Sequence, residues 1–592
     1  MPSSGLNLKR RQERRLMQIK GNTQVTLDGR GLVTLRPSDH VATGGQGSVY
    51  RIGDDIIKIY HDDGKMRKSG LPEKIKLLTA LKHPYVVAPK GLVLSGGDPV
   101  GYYMPDASGH ALSLVFTNQF YQSPGFSAKQ ASTLVDRMRE VFIFGHGKGA
   151  VLVDPNELNW HVVMNSKNGV EPRALDVDSW AIGRFPPEVI MPSIRDWHQK
   201  TFDERSDWFS WGIVTFQVYT GIHPYKGTLD GFKRGDLEGR MRANASVFAP
   251  GVRLNQAVRD FSCIPGPLHS WYEATFQKGE RITPPSAFDT GVTTPAAARI
   301  MRVVTTGQTG KLVMEKIFDG VNDSAIRMFH SGVVLLASGK LFDLSSKRHI
   351  ANATSRECEV VKVKDGWLIA DWNGKTPRFE YVNEHSLSKT ELTLAISTNH
   401  LLSYENRMFA VTEKGLTELV IHMFAKPLLS AGQTWGVMMN STKWFDGVGV
   451  QDAMGATYAV LPFGETSCAQ TRVRELDLQQ VINAKSGNRF VSFVTLAKDG
   501  KYRKIDLVFT ADYSTYQPFI VEVDGPELNL AILPKGVAAT IVEDGELTIF
   551  VPTNGVTNVV KDTAVKTDMV LSNWGDKVMY IQNGAVWSLR MK

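Results

Sequence analysis

The pattern of hydrophobic and polar positions changes twice along the chain. Between residues 24 and 60 it reads as strand and turn. Gln24-Val25-Thr26-Leu27 alternates, a glycine-rich stretch runs from Thr43 to Tyr50, and the apolar run Ile56-Ile57-Lys58-Ile59-Tyr60 follows, so three strands are predicted. From Leu71 the period becomes helical, with Pro72 suited to a first turn and Ile75, Leu78 and Leu81 sharing one face before His83-Pro84 ends the element. A second helix is predicted from Ser127, where Gln130 completes a capping-box pattern. It carries Leu134, Met138, Val141 and Phe142 toward one side and ends near Gly145.

Beyond Pro284-Pro285 the helical period disappears and short β runs remain, broken by Gly, Asn and Asp. Seven of them look alike, beginning at Gly332, Asp365, Asn406, Gly455, Asn488, Asp544 and Asp576. Their spacing of mostly about 30–50 residues suits a repeat in which each unit is one propeller blade. The expectation is a six- or seven-bladed β-propeller, with a pair of β-sandwiches as the alternative.

At 592 residues the chain exceeds what one hydrophobic core holds together. The changes of period divide it into a basic tail over 1–22, an α+β domain over 23–288, a Pro- and Thr-rich linker over 289–298 and the β-rich domain over 299–592. A balance of 68 basic against 60 acidic residues is too mild to point to nucleic acid. Lys9, Arg10, Arg11, Arg14, Arg15 and Lys20 concentrate part of the excess in what reads as a solvated tail. No apolar run of about 18 residues and no signal-peptide core are present, so a soluble protein away from the membrane is expected. Cys263, Cys358 and Cys468 are scattered and odd in number, which suits buried thiols in a reducing compartment, the cytoplasm.

The candidate chemistry lies in the first half. Glycines between two strands let backbone N–H groups close over phosphates, and Gly44, Gly45 and Gly47 stand just before Val49 in such a turn. Lys58 follows inside an apolar strand, where a buried ammonium needs anionic partners. Glu73, in the next helix, is the acid placed to pair with Lys58, and the strand Gly101–Pro105 carries Met104. After the Ser127 helix, Asp154 and Asn159 stand in an Asp-x-x-x-x-Asn arrangement, and Asp176 and Asp178 form an Asp-x-Asp further on.

These segments resemble, in order, the glycine-rich loop, lysine strand, catalytic loop and metal motif of protein kinases. Pro186-Pro187-Glu188, Asp207-Trp-Phe-Ser-Trp-Gly212 and Glu280-Arg281 continue the order. The set over residues 41 to 288 is most similar to the bacterial kinase-like family of tellurium-resistance-type operons. The resemblance implies a bilobal kinase-like fold, ATP and Mg²⁺ as cofactors, Asp154 as catalytic residue, the Met104 strand against the adenine edge, and Asn159 with Asp176, favoured over the still open Asp178, as metal ligands. Lys58 and the glycines would hold phosphates, Glu188 would pair with Arg281, and Asp207 would brace the catalytic loop. Leu152, Val153 and Asn156 depart from the kinase pattern, and only Ala181–Phe185 separates Trp180 from Pro186. Switching by loop phosphorylation is therefore not expected. The leading reading is an atypical Ser/Thr kinase whose β-rich domain docks a protein partner or substrate. The competing ones are a pseudokinase scaffold and a structural component, for example of a viral particle.

Overall fold

The computed structural model describes residues 21–123, 125–165, 169–187, 190–289, 301–302, 310–372, 376–398, 400–552 and 555–592. Most of the basic tail, Glu188 and nearly all of the expected linker therefore lie outside the described residues.

The chain opens with seven antiparallel strands in one sheet: β1 (Thr23–Leu27), β2 (Gly31–Leu35), β3 (His40–Thr43), β4 (Gly47–Ile52), β5 (Asp55–Tyr60), β6 (Gly91–Ser95) and β7 (Asp98–Pro105). They are arranged β2-β1-β6-β7-β5-β4-β3. Five strands thus stand where the periodicity over 24–60 predicts three. Alternation along β5 sorts its side chains between two faces. Ile57 and Ile59 enter an apolar cluster with Val25, Leu35, Tyr50 and Val93. Lys58 belongs to the opposite face, in register with Val49 on β4 and Tyr102 on β7. Two short helices, α1 (Asp63–Lys68) and α2 (Leu71–Leu78), follow β5. The periodicity missed α1.

The helical part is built on α3 (Ala128–Gly147) and α4 (Glu204–Thr220). Along α3 the buried positions Ala131, Leu134, Val135, Met138, Val141, Phe142 and Gly145 recur at helical spacing. Its predicted capping box is incomplete, because Ser127 Oγ bonds the Gln130 side chain and makes no bond to the helix backbone. α4 is buried nearly all round. Asp203 caps it by accepting from the backbone N–H of Arg205 and Ser206, and Gly221 ends it at φ 75°. Between the two helices, β8 (Trp160–Asn165) and β9 (Gly169–Ala174) form an antiparallel hairpin. Its open end sets Asn159 beside Leu175, where the Leu175 N–H donates to the Asn159 carbonyl at 2.9 Å.

From Leu312 to Met591 the chain forms seven four-stranded antiparallel sheets in a propeller-like arrangement, and each of the seven look-alike units falls in a different sheet. Six sheets use four consecutive strands. The seventh is completed by Leu312–Phe318, the first strand of the region, paired along Ala585–Met591, the last. A buried apolar cluster joins every sheet to the next, and one further cluster joins the seventh to the first, so the sheets close into a ring. Ring closure leaves no sheet of the series with an unpacked face.

Candidate active site

Lys58 stands in the middle of the site face of β5, where the strand period also places Tyr60 on the same side. Its Nζ lies 2.8 Å from Asp176 Oδ1 and 2.8 Å from Asp178 Oδ2. Burial alone would lower the Lys58 pKa, but the two carboxylates outweigh it and hold the ammonium well above its ordinary value.

The two aspartates are not equivalent. Asp178 is 3% exposed and fully engaged, with Tyr60 Oη and Lys58 on Oδ2 and Tyr102 Oη on Oδ1 at 2.7 Å. Burial pushes its carboxyl up, and the lysine with the two hydroxyl donors overrides that and holds it well below the usual range. Asp176 keeps 42% of its side chain exposed and adopts a left-handed backbone at φ 52°. Desolvation, joined by the neighbouring Asp178 charge, pushes it up to about 6 against the pull of Lys58. Asp178 therefore anchors Lys58, and only Asp176 offers a carboxylate toward a ligand. The reading of Asp178 as a metal ligand does not fit this geometry.

The loop before β8 supplies the second half of the site. Asn159 Nδ2 donates to the Asp154 carbonyl at 2.8 Å, and Asp154 Oδ1 accepts from the Met191 N–H at 2.9 Å. Burial raises the Asp154 carboxyl pKa, against that N–H and a bond from Asn156. Just before it, Val153 holds φ 67°, which is strained for a β-branched residue. Asp207, in the first turn of α4 and wholly buried, keeps that conformation in place. It accepts from Leu152 N at 2.7 Å and Val153 N at 2.9 Å, and lies 2.9 Å from His146 Nε2. One series of contacts thus runs Lys58–Asp176, Leu175–Asn159, Asn159–Asp154.

The glycine-rich segment is the β3–β4 hairpin turn, in which Gly44 N bonds Gly47 O at 2.9 Å. Gly47 has no room for a side chain, since a Cβ would come 2.5 Å from Ile59 O. Val49 and Met104 share the Lys58 face, Met104 lying opposite Ile56. Glu73 does not join them. It is exposed on α2, and the inward position belongs to Lys74, which is 3% exposed and donates to the Asp178 carbonyl at 2.6 Å. Expecting Glu73 as the partner of Lys58 is therefore wrong, because one residue along a helix is a rotation of about 100°. Arg281 binds Asp196, with Nη2 to Oδ1 at 2.9 Å, and its expected partner Glu188 lies outside the described residues.

Sequence reasoning missed Tyr60, Lys74 and Met191, and read Tyr102 only as part of the adenine-edge strand. The two tyrosines were detectable from strand register with Lys58, whereas Met191 carries no local signal. The ring also reaches the site unannounced. Asp452 accepts from Thr43 N at 2.8 Å, Tyr502 Oη bonds Glu157 Oε1 at 3.0 Å, and Gly500 lies against Ser193 and Met191.

No family model matches the chain. It is similar to a serine/threonine-protein kinase, pkn2, of Myxococcus xanthus, at 29% identity over 231 residues that cover 35% of this chain. The match spans 26% of that relative's length. This partial likeness supports a kinase-like relationship.

Proposed function

We propose that the first half of the chain is a bilobal kinase-like unit that binds Mg-ATP and transfers its γ-phosphoryl group to a Ser/Thr hydroxyl. The observation that carries this reading is the contact series joining Lys58, Asp176, Asn159 and Asp154. Such a gathering of buried and half-buried charge has no packing rationale, and it matches what phosphoryl transfer needs.

The residues fit the cofactor. Asn159 uses its amide nitrogen on Asp154, so its amide oxygen and the half-exposed Asp176 carboxylate remain as oxygen donors of the kind Mg²⁺ accepts. Among the described residues no group of three or more His, Cys, Asp or Glu side chains forms a metal site. Mg-ATP, when bound, supplies the transferable phosphoryl group. Lys58 offsets phosphate charge, and the Gly44–Gly47 turn lets backbone approach it closely. Asp154, oriented by the Met191 N–H, accepts the hydroxyl proton as the oxygen–phosphorus bond forms and the bond to the ADP oxygen breaks.

The likeness to a serine/threonine-protein kinase adds to this reading. A nucleotide-responsive scaffold is the second reading, favoured by the displacement of Glu73 and by the bond of Lys74 to Asp178. Docking of a protein partner on the ring belongs to the proposal under either reading.

The test is transfer of the γ-phosphoryl group by the full chain to protein or to water, compared with Asp154→Asn. Loss of transfer with retained Mg-ATP binding supports the kinase, and binding with no transfer in either form supports the scaffold.

A further inference from the structure

The fifth sheet of the ring contains β10 (Phe490–Leu496) and β11 (Tyr502–Phe509), joined by a turn through Lys498, Asp499 and Gly500. This turn is seated on the first half of the chain. Gly500 has φ 76°, and a Cβ there would run into the Ser193 side chain and come 3.5 Å from Met191 Cγ. The adjoining Tyr502 bonds Glu157, in the same loop as Asp154 and Asn159. The seat is the segment whose Met191 N–H orients Asp154.

From that seat Lys498 extends to the other side of the site. Its Nζ lies 3.3 Å from where a Cβ on Gly45 would stand, against the glycine-rich turn. The fourth sheet steadies the same turn, with Asp452 accepting from Thr43 N and Gly455 packed near Thr43 Cγ2. The other cations of the Lys498 turn are paired, Lys501 with Glu522 at 3.0 Å and Arg503 with Asp499 at 2.6 Å. Lys498 is exposed, and among the described residues no carboxylate lies within ion-pair distance of it.

The catalytic loop lacks a cation of its own. Asn156 stands where kinases commonly carry a lysine. It is 4% exposed, and its Oδ1 is used by the Leu158 N–H at 2.9 Å, so the side chain is committed to the loop.

We propose that Lys498, delivered by the ring, is a phosphate-binding residue of the nucleotide site and supplies in cis the positive charge that the catalytic loop lacks. The inference rests on the Mg-ATP reading given above. A glycine-rich turn of this kind covers the nucleotide's phosphates, and a triphosphate carries more negative charge there than a diphosphate, so an ammonium against Gly45 favours it. The ring is then part of the active site as well as a candidate partner surface.

The test is calorimetric binding of Mg-ATP and Mg-ADP to the full chain and to Lys498→Ala, Lys498→Arg and, as a control from the same turn, Lys501→Ala. Lys498→Ala is expected to weaken Mg-ATP about tenfold and Mg-ADP much less. Lys498→Arg should restore most of the difference and Lys501→Ala should leave it intact. If the unmodified chain binds Mg-ATP and Lys498→Ala leaves the ATP-to-ADP preference unchanged, or weakens both nucleotides equally, the inference is overturned while the nucleotide reading stands. If the unmodified chain binds neither nucleotide, the nucleotide reading itself fails and takes the inference with it.

Discussion

The interior around Lys58 and the junctions of the ring are held by opposite means. At the site, one ammonium, two carboxylates and two phenols satisfy one another in a space where each alone would be costly. In the ring, the buried clusters at the junctions between sheets consist mostly of Val, Leu, Ile, Phe and Ala, and their partners are interchangeable in kind though not in shape. A stability requirement alone explains the second arrangement. The first needs a further reason, since apolar side chains of similar volume would hold β5, β7 and the Asp176–Asp178 turn together at least as well.

Breaking the polar cluster should have the largest effect. Asp178→Ala leaves the buried Lys58 ammonium and the Tyr60 and Tyr102 hydroxyls without their common partner, and should cost about 3–5 kcal/mol in denaturant unfolding. Next is a cavity in the ring. Leu507→Ala, at a wholly buried position between the fourth and fifth sheets, should cost about 3 kcal/mol. The two losses should differ in one respect. Removing the buried ion pair by Asp178→Leu together with Lys58→Met should recover part of the loss at the site, the Tyr60 and Tyr102 hydroxyls staying unpartnered, while abolishing Mg-ATP binding. Leu507→Ala should change nucleotide affinity far less than any substitution in the polar cluster.

A smaller effect is expected where the halves meet. The Glu543 carboxylate accepts from the Asp524 and Gly525 N–H groups at 3.0 and 3.1 Å, with Asp524, Asp544, Lys226 and Arg234 around it. Burial, then the Asp524 charge, pushes it up to about 8. A raised carboxyl pKa means that its contribution to stability is complete below the ordinary carboxylate range and is lost as pH rises toward 8. Glu543→Gln should remove that loss, so the variant gains thermal stability relative to the parent at pH 8 and little at pH 4. Parallel pH profiles for the two proteins would count against the assignment.

The smallest expected effect tests the partner of Lys58. Glu73→Gln should change Mg-ATP affinity by less than about twofold, because the exposed Glu73 makes no bond to Lys58. A loss comparable to that of a site residue would restore Glu73 to the place that Asp178 holds here.

Much of this is legible in the amino-acid sequence alone. The seven β units follow from residue type and spacing, because strand period and short loops leave little freedom locally, and the kinase resemblance points to Asp207 as the brace of its loop. The pairing of Lys58 with Asp176 and Asp178 does not follow, since the sequence points to Glu73. What is not legible depends on rotation and docking. Spacing places Glu73 and Lys74 on the same helix but does not say which of them turns inward, and the hydrophobic pattern of Leu71, Ile75 and Leu78 constrains that rotation only to within about a residue. The strand Leu312–Phe318 finds its partner at the far end of the chain, and Lys498 finds Gly45 across two folded units. A polar turn shows no local sign of such a contact. Asn156 is the one indirect signal, a neutral residue where kinases commonly carry a lysine.

The most direct test of the central claim is calorimetric titration of the full chain with ATP, with and without Mg²⁺, alongside Asp176→Asn. The account predicts saturable binding that needs Mg²⁺ and weakens at least about tenfold in the variant. An absence of binding at millimolar Mg-ATP, or equal affinity in the two proteins, would contradict it.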